Sequence, residues 1–115
     1  ATLSPAAQPR QKPGARTAPA IGVAGTEAVV GGVIDAHGQP TRFKFQYGLT
    51  RTYGVTTEAG EEVVTGHTRI RVAEALAGLR PRTTYHYRIV AFNRFGSALG
   101  EDRTFTTTRK RSQGR

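Results

Sequence analysis

The chain has 115 residues, no cysteine and no tryptophan, and a formal net charge of +9. That length suits one domain that folds without metal or disulfide, and the missing cysteines exclude disulfide frameworks and zinc–thiolate centres. No apolar run approaches the ~18 residues of a membrane-spanning helix, and the charge is uneven: between Ala20 and Thr107 ten basic residues face eight acidic ones.

Residues 1–19 carry Pro5, Pro9, Pro13 and Pro19 among alanine, glutamine and basic residues. Such a stretch buries too little apolar surface to offset its ordering entropy, so it reads as an extended linker, or as an arm lying on a neighbouring subunit. The first residue is alanine with no basic-then-apolar leader, which fits a mature exported chain, a lost initiator methionine or an excised piece.

Residues 20–107 change character, to short alternating runs rich in Val, Ile, Thr, Phe and Tyr between turn formers; this is the pattern of an all-β sandwich. Ala20–Gly25 is predicted as an edge strand and Glu27–Ile34 as the second, ended by the turn cluster DAHGQP. Arg42–Tyr47 points Phe43, Phe45 and Tyr47 inward, and Arg42, Lys44 and Gln46 outward. Tyr53–Glu58 is a weak strand before a loop containing Glu61 and Glu62. Thr68–Leu76 sets Ile70, Val72 and Leu76 on one face, with Glu74 awkwardly on the same parity. Thr84–Asn93 is the strongest strand, and Asp102–Thr107, centred on Phe105, the last. The VAEALAGL run alone also fits a helix, but its β-branched flank and the turn after it favour a strand. Residues 108–115 form a basic tail in which Arg109, Lys110, Arg111 and Arg115 would attract anions or nucleic acid nonspecifically, with steep salt dependence.

The run Leu79–Gly96 divides into two parities. One holds Tyr85, Tyr87, Ile89 and Ala91 for the core; the other presents His86, Arg88, Val90 and Phe92 outward. With Arg42, Lys44 and Arg88 beside them, Val90 and Phe92 form a candidate docking patch for a neighbouring domain, an acidic protein or a polysaccharide; the alternative is that adjacent side-chain stems cover them. Arg94 and Phe95, in the loop that follows, are a second candidate, since Arg and aromatic residues anchor interfaces. Chemistry is thin. Three serines lie in tails or a loop, His37, His67 and His86 have no ligand-like spacing, and the adjacent Glu61 and Glu62 point apart in extended chain. The expectation is a non-enzyme with no cofactor or metal.

The pattern Leu79-x-Pro81-x-Thr83-x-Tyr85-x-Tyr87-x-Ile89-x-Ala91-x-Asn93-x-x-Gly96 resembles the E–F corner and F strand of a fibronectin type III domain. FKFQYGLTRTYG is similar to a signature of bacterial fibronectin type III-like repeats from exported and surface proteins, and EDRTFTT to their last strand. The resemblance spans about residues 20–107 and implies a seven-stranded immunoglobulin-like sandwich with flexible basic tails. In it Tyr85 would form the tyrosine corner, bonding back to backbone near Leu79. The resemblance further implies an extracellular or cell-surface module, acting as spacer or protein-interaction domain. A structural subunit of a filament or virus particle with ordered arms, and an accessory module of a polysaccharide-degrading enzyme, are the alternatives. The chain departs from the animal pattern in lacking tryptophan; Val30 stands at that site.

Overall fold

The described residues form eight strands: β1 (Gly14–Ile21), β2 (Ala28–Asp35), β3 (Arg42–Gly48), β4 (Val55–Thr56), β5 (Arg69–Leu76), β6 (Thr84–Asn93), β7 (Gly96–Leu99) and β8 (Arg103–Thr106). The computed structural model describes residues 11–59 and 64–109. Among these there is no helix. The strands form two antiparallel sheets, β1-β2-β5 and β4-β3-β6-β7, with β8 pairing the first part of β6.

The two sheets face each other as a sandwich because their sequences alternate with a period of two. Val30 and Ile34 of β2, Phe43 and Phe45 of β3, and Tyr87, Ile89 and Ala91 of β6 are buried between them. Val72 and Leu76 of β5 and Phe105 of β8 complete the core, with the Tyr85 and Phe105 rings stacked at 5.6 Å. VAEALAGL extends β5 to Leu76, and Gly78, at φ 71°, turns the chain back. Glu74 sits opposite Val30 in an unbroken register, so no bulge removes it. It is half-buried at the rim, where the Thr57 hydroxyl reaches its carboxylate at 3.4 Å.

The corner before β6 is held from both sides. The Arg80 N–H donates to the Tyr85 hydroxyl at 2.8 Å, and the Thr83 N–H donates to Thr107 Oγ1 at 2.8 Å. The Thr107 hydroxyl in turn donates to the Arg80 carbonyl. Each such bond contributes about 1 kcal/mol net, and together they fix a turn in which Arg82 holds φ 54°.

Two expectations require correction. The first strand is Gly14–Ile21, not Ala20–Gly25, so it begins inside the stretch read as a linker. Proline does not prevent this on an edge strand: Pro19 is exposed and sits where the β1–β2 register shifts, a place that needs no N–H donor. Thr17 and Ala18 are buried, and the Tyr87 hydroxyl donates to the Ala18 carbonyl at 2.7 Å. Pro13 is buried as well, and Asn93 Nδ2 donates to the Gln11 carbonyl at 2.8 Å, so this part of the supposed arm lies on its own domain.

The second correction concerns residues 96–99. They are not loop but strand β7, and with β8 they share one edge of β6. The break between the two strands aims consecutive carboxylates in different directions. Glu101 reaches back to accept from the Thr17 N–H at 2.9 Å, while Asp102 bonds His86. Re-aiming of side chains is what such edge irregularities do.

Candidate functional site

The outer face of the larger sheet is ordered by the β3–β6 register. Arg42 lies opposite Phe92, Lys44 opposite Val90, Gln46 opposite Arg88 and Gly48 opposite His86. The two ends of this face differ in kind.

At the end nearer the β6–β7 turn, Arg42, Phe92 and Arg94 line an open cavity of about 350 Å³ with Pro40 and Asn93. The Lys44 ammonium sits 5.4 Å from the Phe92 ring centre, and the Arg94 guanidinium 5.4 Å from that of Phe95. Such pairs contribute on the order of 0.5–1 kcal/mol at exposed sites. The structure therefore brings Arg42, Lys44, Phe92, Arg94 and Phe95 to one end of the sandwich. Val90 does not join them as an exposed residue. It is only 5 % exposed, flanked in register by Lys44 and Leu99, so neighbouring stems cover it. Arg109 is exposed at the end of the described chain; Lys110, Arg111 and Arg115, like Glu61 and Glu62, lie outside the described residues.

The other end holds a network that sequence reasoning missed. The chain after β3 folds over Gly48, and Tyr53, at φ 66°, lies on the face beneath the Arg88 guanidinium, 4.7 Å away. A left-handed tyrosine is uncommon and marks an over-determined turn. Its hydroxyl donates to Asp102 Oδ1 at 2.8 Å, and His86 Nδ1 lies 2.9 Å from Asp102 Oδ2. Arg51, largely exposed, adds an ion pair at 3.6 Å, which solvent screens. Arg88 is also held by Gln46, to whose Oε1 its Nε donates at 2.7 Å. Arg88 is thus a strut of this turn more than a free cation. The available signal was the TRTYG motif, which carries the resemblance but was not read as a site.

Burial works against ionisation of Asp102, but the hydrogen bonds from His86 and Tyr53 and the nearby positive charges outweigh it, and its carboxyl falls below the usual aspartate range. Tyr53 moves the opposite way, raised first by burial and then by its bond to Asp102. A carboxyl depressed in the folded state contributes stability that is present above the unfolded value of about 3.9 and lost as pH falls through the folded value. Asp102→Asn is therefore expected to flatten the loss of stability between about pH 5 and pH 2, seen as a smaller pH dependence of the urea midpoint. An acid limb as steep as the parent's would show that Asp102 plays no such part.

Among the described residues no group of three or more His, Cys, Asp or Glu is placed to hold a metal ion. Among the described residues no helix is long and apolar enough to cross a membrane.

Fold and faces define an all-β, two-sheet sandwich with polar, partly aromatic outer surfaces. No family model matches the chain, and no curated protein matches it. Solved structures do: the sensor domain of the anti-sigma factor RsgI4 from Pseudobacteroides cellulosolvens, in three determinations. A shorter version is 17% identical with a TM-score of 0.60, covering 83% of this chain and 93% of that one. A longer version is 18% identical with a TM-score of 0.57, covering 88% and 94%. The solution structure is 17% identical with a TM-score of 0.62, covering 87% and 78%. At such identities the likeness shows a shared fold.

Proposed function

We propose that the chain is a non-enzymatic, fibronectin type III-like module of an exported or surface-exposed bacterial assembly, which meets a protein partner or neighbouring domain through the Arg42–Phe92–Arg94–Phe95 end of its larger sheet. The observation that carries this reading is the open cavity of about 350 Å³ in which Phe92 lies between cationic side chains. Arginine and aromatic residues gathered around a concavity are the usual anchors of a protein interface. The arrangement of β1-β2-β5 against β4-β3-β6-β7, with Tyr85 bonded across the corner, supports the fibronectin type III-like assignment. The likeness to sensor domains supports a role in recognition, where a spacer alone would need no such site.

The test places a photo-crosslinking amino acid at position 95, and separately at position 82 at the far end of β6, in the chain carried by its source cells. Position 95 is expected to give a dominant protein adduct that position 82 does not, and that the double variant Arg42→Glu with Arg94→Glu loses. Adducts only to polysaccharide would favour the accessory-module reading instead. Identical adducts from both positions would remove the site.

A further inference from the structure

We propose that the outer face of the smaller sheet, β1-β2-β5, is a second binding surface, which takes an extended peptide whose carboxylates meet Arg69 and Arg71 and whose apolar side chains lie beside Ile21 and Val29. The register places the residues. Arg16, Val33 and Arg71 form one row across the three strands, Gly14, Asp35 and Arg69 the next, and Ala18, Gly31 and Ala73 the row on the other side. Arg16, Arg69, Arg71 and Ala73 are all exposed.

Three depressions run into one another across this face. One of about 250 Å³ has Arg16, Val33, Asp35, His37 and Arg69 in its wall. A second, of about 290 Å³, shares Arg16 and Val33 with it and adds Arg71 and Arg103. A third, apolar one of about 70 Å³ shares Ala18 and Arg71 and ends on Ile21 and Val29. The result is a continuous shallow track, basic at one end and apolar at the other. Ile21 is 64 % exposed there, a large apolar side chain left in water.

Charge selects the occupant. Four arginines line the track against two carboxylates, and both carboxylates are engaged: Glu101 by the Thr17 N–H and Arg16, Asp35 by His37. Among the described residues no carboxylate comes within ion-pair distance of Arg69 or Arg71. Guanidinium forks match carboxylates in paired hydrogen bonds. Arg69 and Arg71 are successive residues on one face of β5, so they are spaced about 7 Å apart, the repeat at which alternate side chains leave an extended peptide. Among the described residues no Phe or Tyr lines these depressions and His37 supplies a single ring at one end, so successive bases of a single-stranded nucleic acid have no platform on which to stack. The apolar end gives a uniformly charged polyanion nothing to bury. A peptide with alternating acidic residues followed by aliphatic ones satisfies both halves.

The test uses a fluorescein-labelled ten-residue synthetic peptide, with alternating glutamates in its first half and valine and leucine in its second, against the full chain. Binding is read by anisotropy, and the site is mapped by amide shifts. The expected result is saturable binding that shifts β1, β2 and β5 amides. Arg69→Glu with Arg71→Glu should weaken it about tenfold or more, and Ile21→Asp severalfold, whereas Arg42→Glu with Arg94→Glu on the opposite sheet leaves it unchanged. That last variant keeps failure here distinct from failure of the proposed function. Because Arg69, Arg71 and Ile21 are exposed, their variants should fold, as amide dispersion will confirm. Equal binding of an all-glutamate peptide or of polygalacturonate, no binding at all, or shifts confined to the other sheet would each overturn the proposal.

Discussion

Gly48→Ala is expected to destabilise the domain by about 3 kcal/mol or more, the upper range for forcing an atom into a packed site. A β-carbon at Gly48 would overlap the Tyr53 carbonyl oxygen and lie 2.9 Å from the Tyr53 Cα. Those are backbone atoms of a turn closed by the Tyr53 N–H bonding to the Thr50 carbonyl at 2.9 Å, so no side-chain rotation relieves the clash. The turn must lift from the sheet, and with it go the Tyr53–Asp102 bond and the stacking of Arg88. Two measurements check this. The denaturation midpoint should fall, and the alkaline titration of Tyr53, raised in the parent, should return toward ordinary tyrosine. A variant with the parent's midpoint would mean that the turn does not sit on Gly48 in solution.

Gly100→Ala should cost about 2–3 kcal/mol, and its effect should appear at a distance along the chain. Gly100 opens the interval between β7 and β8, and its N–H donates to the Ile89 carbonyl at 2.8 Å. A β-carbon there would overlap Thr17 Oγ1, and would approach Ile89 Cγ2 at 2.7 Å and the Thr17 nitrogen at 2.8 Å. The strand displaced would be β1, because Thr17 ties it to the chain after β7 and to β8: its N–H donates to Glu101 and its carbonyl accepts from Arg103 Nε at 3.0 Å, beside the Tyr87–Ala18 bond. Faster hydrogen exchange at the amides of Thr17 and Ala18, with β3 still protected, is the expected signature. Unchanged protection in β1 would show that Gly100 is not what seats that strand.

Gly48 ends a readable strand and Gly100 lies just before another, yet neither was marked by local pattern. FKFQYG shows an alternating strand but not that the backbone five residues on will lie on its last residue. The inward parities of β2, β3, β5 and β6 were legible because one buried face imposes a period of two on any half-buried strand. Strand β1 was not. Its inward residues are small or polar, Ala15 and Thr17, and its prolines mimic a linker; its burial comes from partners 70 and more residues away, as the bonds of Thr17 to Ile89 and Glu101 show. Val90 keeps its outward parity, and of its two readings the covered one holds, because the neighbours on both sides are long enough to cover it.

Alternation and turn residues are local signals, and they made an all-β chain, the positions of its main strands and most of its core readable in the sequence. Which outward residues meet depended on the folded structure. It joined Tyr53, His86 and Asp102 into one network, gathered Arg42, Phe92 and Arg94 around one cavity, and set Arg16, Arg69 and Arg71 on a face of the opposite sheet. Those groupings follow from strand register and sheet order, which bring together residues far apart in the chain and which no local pattern encodes.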